Sequence, residues 1–288
     1  MAACSENCGN IPGAAPAETC VKCCPSSQKC QCDCHSNYGP DDLRRVWRVG
    51  TSTPYYPFEI FEDEMLKGFD IELIQMIGDE LRYRVEFVDL DFDALLYGLN
   101  VKYIDAICAG MTPDGFAPNK QARDEYADFT EEYFRAKDVI LTRNNFDPPL
   151  FINTLADLDG LTIGAQKDTT QLDLVQDLRS DLIALNPLYD MGIEDKVVSI
   201  PLLMEMLETS DFEHGPLHGI VMIQDVAEHY AGKYPTLAVA AIDLDSEDYC
   251  AIALPKESAL RERINDLILK WKGDGTLDAL IEFWFGGD

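Results

Sequence analysis

The chain lacks any run of about 18 consecutive apolar residues, so no stretch of it reads as a membrane-spanning helix. Basic residues are scarce. Twenty-three lysines and arginines stand against 52 aspartates and glutamates, a net charge of −29 over 288 residues. Nucleic acid and anionic membrane surfaces are polyanions and are therefore not expected as partners. No GxSxG elbow, phosphate-binding glycine loop or HExxH pair is present, and no cofactor is expected. Histidine is rare at four residues. His214 and His218 flank Gly215-Pro216-Leu217, and His229 falls on a helix, a scatter that suits structural or exposed roles better than a metal site. Beyond residue 34 only Cys108 and Cys250 remain of the ten cysteines. Both lie in apolar runs and read as small buried residues.

The other eight cysteines are crowded at the start: Cys4, Cys8, Cys20, Cys23, Cys24, Cys30, Cys32 and Cys34, with His35 behind them. This segment has almost no large apolar residues and cannot build a core, so residues 1–42 are expected as an unstructured, cysteine-rich tether. The spacings Cys20-x-x-Cys23-Cys24 and Cys30-x-Cys32-x-Cys34 resemble metallothionein-like thiolate clusters. Disulfides or free thiols in an oxidising compartment are the alternative. Met1-Ala2-Ala3-Cys4-Ser5 resembles the end of a bacterial lipoprotein signal, which implies Cys4 as the lipidated first residue of the mature protein. The basic and apolar stretches of an export signal do not stand before it here, and an ordinary cytosolic N-terminus is the alternative.

From residue 43 the texture is that of a folded domain with 47% apolar residues in the chain as a whole, long enough for two lobes. Arg45 to Gly50 reads as a strand. Asp70 is expected to cap a helix through Ile71, Leu73, Ile74 and Ile77, whose spacing is helical. Tyr83–Val88 alternates as a strand, Asp91–Leu96 reads as a capped helix, and Ile104–Cys108 as a buried strand. A second series follows. Strands are expected at Leu161–Ala165, Val197–Ile200, His218–Ile223, Thr236–Ile242 and Tyr249–Pro255. Helices are expected from Gln171 to about Leu178, at Leu202–Leu207 and Val226–Tyr230, and in two closing segments, Ser258–Lys272 and Thr276–Phe285. Strands alternating with helices predict an α/β fold with parallel sheets.

The stretch from Ile104 to Phe134 concentrates the candidate chemistry. A buried strand runs into Ala109-Gly110, where the backbone permits close approach, and then to Thr112 and Arg123. An arginine just beyond a buried strand offers two parallel charge-assisted bonds to a carboxylate. A surface arginine among acidic neighbours is the other reading. Thr170 and Asp225 both stand where a strand hands over to a helix. There a ligand group and a plain helix cap are the two alternatives.

The order of the segments VGTSTPYYPFEI, GFDIELIQMI, DFDALLYGL, IDAICAGMT, RDEYADFTEEYF, DGLTIGAQKDTTQ, GIVMIQD, YCAIALPK and GDGTLDALIEFWFG resembles the amino-acid-type solute-binding proteins of ABC importers, the type II periplasmic-binding-protein family. The likeness runs from about Val46 to Gly286. It implies one solute-binding domain over residues 43–288 with two lobes joined by two hinge crossovers. The first lobe is about 46–134 with 249–288, and the second about 137–246. It implies capture of a polar amino acid by hinged closure, delivery to an ABC permease, and no catalysis. An extracytoplasmic monomer is expected, touching the membrane only through a lipid anchor. By the resemblance, Arg123 pairs with the ligand carboxylate beside Thr112, and Gly110 faces the ammonium. Tyr55 and Phe92 sandwich the ligand or else pack as core aromatics. Thr170 brings a helix N-terminus to the carboxylate, and Asp225 takes the ammonium.

The chain departs from the pattern at three places. Ser52 stands where many relatives carry an aspartate for basic side chains, which weighs against a lysine- or arginine-type ligand, although the acidic surroundings keep it open. Ten residues, Pro113 to Ala122, separate Thr112 from Arg123, an inserted loop at the cleft rim. Asp168 replaces a common glycine, as a solvated turn residue or as a negative charge near the pocket. Two other function classes share the fold. One is a cyclohexadienyl or arogenate dehydratase-like enzyme, and the other is a ligand-sensing module.

Overall fold

A computed structural model of the chain describes residues 44–114, 122–147, 149–209 and 217–286. The cysteines Cys4, Cys20, Cys23, Cys24, Cys30, Cys32 and Cys34, His214, and most of the insertion before Arg123 lie outside the described residues.

The first sheet grows around β1 (Arg45–Thr51), whose Trp47 and Val49 are buried. A hairpin of β2 (Ile60–Glu62) and β3 (Met65–Lys67) leads into α1 (Phe69–Leu81). This helix buries Phe69, Leu73, Ile74 and Ile77, the apolar stripe that its sequence period predicts. β4 (Tyr83–Asp89) then pairs in parallel with the whole of β1, from Arg45 against Tyr83 to Thr51 against Asp89. A 3-10 turn at Phe92–Ala94 runs into α2 (Leu95–Asn100), followed by β5 (Ala106–Ile107), the short helix α3 (Arg123–Tyr126) and β6 (Ala127–Phe129).

Two crossover strands follow in the next part of the chain and near its end. β7 (Phe134–Ala136) leaves the first lobe, and β8 (Asp138–Arg143) enters the second. The second lobe continues with β9 (Thr162–Gly164), α4 (Thr170–Leu185), β10 (Gly192–Glu194), α5 (Ile200–Thr209), β11 (Gly219–Ile223), α6 (Gln224–Lys233) and β12 (Leu237–Val239). β13 (Asp248–Cys250) then pairs antiparallel with β7, and β14 (Ala253–Pro255) rejoins the first sheet ahead of α7 (Leu260–Asp274) and α8 (Thr276–Phe285). The two five-stranded sheets have the orders β4-β1-β5-β14-β6 and β10-β9-β11-β8-β12. Each is mixed rather than purely parallel, because β14 runs antiparallel to β5 and β6, and β8 runs antiparallel to β11 and β12.

Local expectations fail in instructive places. Val197–Val198-Ser199 is not a strand. The β-branched run leads instead into α5 from Ile200, and the sheet edge beside β9 is taken in parallel by β10, a segment with no apolar alternation. Tyr249–Pro255 is not one strand but two, since the chain passes from the crossover ladder to the first sheet between Cys250 and Ala253. Asp70 does not cap α1. Gly68 occupies that position with φ 136°, and an added Cβ there would lie 2.1 Å from the Phe58 carbonyl oxygen. Asp70 sits one position inside the helix, and its side chain turns inward.

Candidate functional site

The ends of β1, β5, β9 and β11 deliver their loops to the seam between the two sheets. The turn after β1 is pinned by reciprocal backbone bonds between Tyr55 and Glu59, at 2.7 and 3.0 Å. It presents the Tyr55 ring stacked on Phe58, with centroids 5.6 Å apart. Gly110, with φ 55°, lets the chain after β5 pass under that ring, since a Cβ there would stand 3.3 Å from Tyr55 Cε1. From the opposite lobe comes the N-terminus of α4, capped by Thr169, whose hydroxyl accepts the Leu172 N–H at 3.3 Å. Between these elements lies a cavity of about 100 Å³ lined by Tyr55, Glu59, Phe92, Gly110, Thr169 and Gln171 among others.

Several contacts bridge the seam between the lobes. Tyr56 stacks on His229 with centroids 3.5 Å apart. The Ile223 N–H bonds the Tyr55 hydroxyl, and Lys167 Nζ stands 3.5 Å from Asp93 Oδ2. Arg123 joins the two sides through backbone carbonyls: Nη1 donates to Thr112 O at 2.5 Å and Nη2 to Asp168 O at 2.8 Å.

Arg123 is buried, at 1% exposure, which removes the surface reading of this residue. Its guanidinium lies over the Phe92 ring at 5.4 Å, and its Nε has no hydrogen-bond partner. Burial lowers its pKa to about 10, opposed by Asp173, Asp248 and Asp168, so the group is cationic at neutral pH. Arg123 and Thr112 stand behind the cavity wall rather than in it. Thr170 is the first residue of α4, next to the lining residues Thr169 and Gln171. Its hydroxyl donates to Asp248 Oδ2 at 2.9 Å on the crossover strand. Asp225, the second residue of α6, is partly buried outside the cavity, and burial raises its pKa. Asp168 is not a solvated turn residue. It holds φ 61°, its side chain is only 8% exposed, and it pairs with Lys167 at 3.2 Å. Ser52 lines the cavity as a backbone donor as well, its N–H bonding the Glu59 carboxylate. Among the described residues no group of three or more His, Cys, Asp or Glu side chains is arranged to hold a metal ion. His218 is structural, its Nδ1 accepting the Thr162 N–H at 2.9 Å.

With this geometry established, the chain matches the family of bacterial extracellular solute-binding proteins, family 3, over residues 47–287. It belongs to that family. Among its relatives, the arginine-binding extracellular protein ArtP of Bacillus subtilis is 29% identical over 255 residues, covering 88% of this chain and 91% of ArtP. A probable histidine-binding protein of Campylobacter jejuni is 27% identical, covering 82% and 83% of the two chains. The solved structure of an ancestral arginine-binding protein bound to arginine superposes with a TM-score of 0.70 at 28% identity, over 84% of this chain and 99% of that one. No helix among the described residues of this solute-binding protein is long and apolar enough to cross a membrane.

The structure adds residues that motif reading did not single out. Glu59 lies in the cavity wall at 1% exposure, and its Oε2 has no partner. Behind it, Asp70 accepts the Gly110 N–H at 2.7 Å and the Tyr133 hydroxyl at 2.9 Å. The Cys108 thiol, expected as a plain apolar filler, donates to the Tyr133 hydroxyl at 3.6 Å. Gln171 is oriented by Asp138, to which its Nε2 donates at 2.8 Å. A signal for Glu59 existed, an isolated acid inside the apolar run Tyr55–Ile60, and it is legible once burial is known.

Proposed function

We propose that this solute-binding protein captures a free amino acid with a cationic side chain in the seam between its lobes and passes it, unchanged, to an ABC permease. The observation that carries the reading is the acid Glu59, buried and without a partner on one carboxyl oxygen, in the wall of a cavity that the two lobes build together. A zwitterion is expensive to desolvate unless both charges are met. Arg123, behind the cavity wall, and the N-terminus of α4 supply positive potential for the carboxylate, and Asp225, outside the cavity as it stands, meets the ammonium once the cavity widens around the ligand. Tyr55 and Phe92 provide flat walls for an extended side chain. Glu59 takes over the counter-charge that Ser52 cannot provide. The names of relatives that bind arginine or histidine agree with this ligand class.

At about 100 Å³ the shut cavity is smaller than the roughly 300 Å³ at which small-molecule pockets begin. The lobes therefore part about the β7–β13 ladder to admit the ligand. They close again because the ligand contacts both, and only contacts made in the shut form shift that equilibrium. The reading includes two lobes of about 46–134 with 249–288 and about 137–246, a monomer, work outside the cytoplasm, and no catalytic turnover.

A thermal-shift screen against the twenty amino acids, prephenate and arogenate tests the reading. Arginine, lysine or histidine at about a hundred times its dissociation constant should add about 2.7 kcal/mol of stability, and the ligand should be recovered chemically intact. A shift only with neutral or acidic amino acids removes the cationic class. Conversion of a cyclohexadienyl acid replaces the transport reading by an enzymatic one.

A further inference from the structure

A second hollow lies beside the cavity that Glu59 lines and shares only Pro54 and Pro201 with it. Its volume is about 710 Å³, inside the range of roughly 300–1,000 Å³ that small-molecule sites occupy. Both lobes build it. The first supplies the turn after β1, the β2–β3 hairpin and the end of α8, and the second supplies one face each of α5 and α6. Helical period explains those faces. Pro201, Met204, Glu205 and Glu208 recur at intervals of three and four along α5 and come to one side, and His229 and Lys233 do the same on α6.

The lining is aromatic. Tyr56, Phe61, His229, Tyr230, Tyr234 and Trp284 all contribute rings. Most of these rings are held in place. Tyr56 stacks on His229 with centroids 3.5 Å apart, Tyr230 lies at 22° to Tyr234, and Trp284 Nε1 donates to Glu72 Oε2 at 2.8 Å. A ring face attracts cations through its quadrupole, and the chain already uses one in this way: Lys233 Nζ stands over the Tyr234 ring, 5.6 Å from its centroid. The other lysine of the lining, Lys67, is engaged by Glu62 at 3.4 Å and Asp63 at 3.8 Å. Glu205 and Glu208 are different. Both are exposed, they stand one turn apart, and among the described residues no side chain meets either carboxylate. Aromatic faces and two unanswered negative charges therefore open onto the same space.

We propose that this hollow is a second ligand site, for a small organic cation with an alkylated ammonium head. Such a head has no N–H to satisfy, so ring faces and carboxylates at longer range can replace its water. A neutral molecule of the same shape gains the apolar area and nothing from the charges. The site does not depend on which solute the central cavity takes. Only its coupling to that cavity uses the hinged closure of the proposed reading. Because the walls come from both lobes, the cation and the solute favour the same shut form, and each tightens the other by an equal factor.

Isothermal titration of the full chain with choline and with its neutral isostere 3,3-dimethylbutan-1-ol, at constant ionic strength, tests the site. One choline per chain should bind, roughly three- to thirtyfold tighter than the alcohol. Glu205→Gln and Glu208→Gln combined in one chain should weaken choline roughly three- to tenfold and leave the alcohol unchanged. Phe61→Leu keeps apolar area and removes a ring face at a residue that is 66% exposed, so it too should weaken choline selectively without disturbing the fold. No binding of choline, equal binding of the two compounds, or choline binding that neither variant changes overturns the site. Competition between choline and the amino acid found by the thermal-shift screen places choline in the central cavity and overturns it as well. That amino acid should instead bind more tightly in saturating choline, and a factor of one overturns the coupling. If no amino acid binds, the solute reading falls, and the choline titrations still decide the second site.

Discussion

Asp70→Asn carries a stability prediction that can be worked from the structure. The residue is fully buried, so solvent does not screen the effect. Its pKa rises from the usual 3.8 to about 7, with burial the largest cause, while the Gly110 N–H and the hydroxyl of Tyr133 pull it back down. A raised native pKa means that the folded protein holds the proton more tightly than the unfolded chain does. The stabilising contribution is therefore complete below about pH 4. It is lost as pH rises to about 7, where the folded group also ionises. About three pH units at about 1.4 kcal/mol each make a swing of about 4 kcal/mol. Asparagine does not titrate, and its side-chain oxygen can still accept the Gly110 N–H. Urea unfolding of both proteins at intervals from pH 4.5 to 8 should show the variant gaining on the parent by about 3 kcal/mol of that swing as pH rises, with the gain levelling off above pH 7. A gap that stays constant across that range would refute the assignment of a raised pKa to this carboxyl.

Three further outcomes are expected. Arg123→Ala and Asp225→Ala should each abolish the ligand-induced thermal shift while circular dichroism stays native. The Arg123 variant should also lose about 1–3 kcal/mol, because the Thr112 and Asp168 carbonyls lose a charged donor. If both variants bind as the parent does, the assignment of the ligand's two charges is wrong. Gly68→Ala should destabilise by about 1–3 kcal/mol or more in denaturant unfolding, since φ 136° is strained for alanine and its Cβ would meet the Phe58 carbonyl. An unchanged unfolding midpoint would disprove that constraint. His229→Ala removes the stack on Tyr56 across the seam, worth about 0.5–1.5 kcal/mol. Small-angle scattering should then show a larger ligand-free molecule and an unchanged liganded one, and equal radii in the ligand-free forms would show that the stack does not hold the lobes shut.

The alternating strands and helices were legible because each buries one face on a period that the residues display, as in Trp47 and Val49 of β1 or Phe69, Leu73 and Ile77 of α1. The candidate site was legible on a different ground. The order of motifs and its resemblance to the family pointed to Tyr55, Phe92, Gly110 and Thr170, and the first three of these line the cavity. Val197-Val198 misled because β-branched residues read as strand wherever they occur. A lobe with its sheet already filled by β10 placed them instead at the cavity edge and the entry to α5.

The sequence alone determined the α/β class, the family, and the shortage of positive charge, since each depends on composition or on order along the chain. The burial of Arg123 was decided by tertiary structure. Its partners Thr112 and Asp168 lie 11 and 45 residues away and on opposite lobes. The convergence of Glu59, Asp70, Cys108 and Tyr133 on one buried spot was decided in the same way. Asp70 and Tyr133 are 63 residues apart, and no local pattern encodes their approach. A pKa follows from what surrounds a group in space, so an acid that looked like a helix cap in the sequence becomes a proton-holding group only when α1, the Gly110 loop and the segment after β6 close around it.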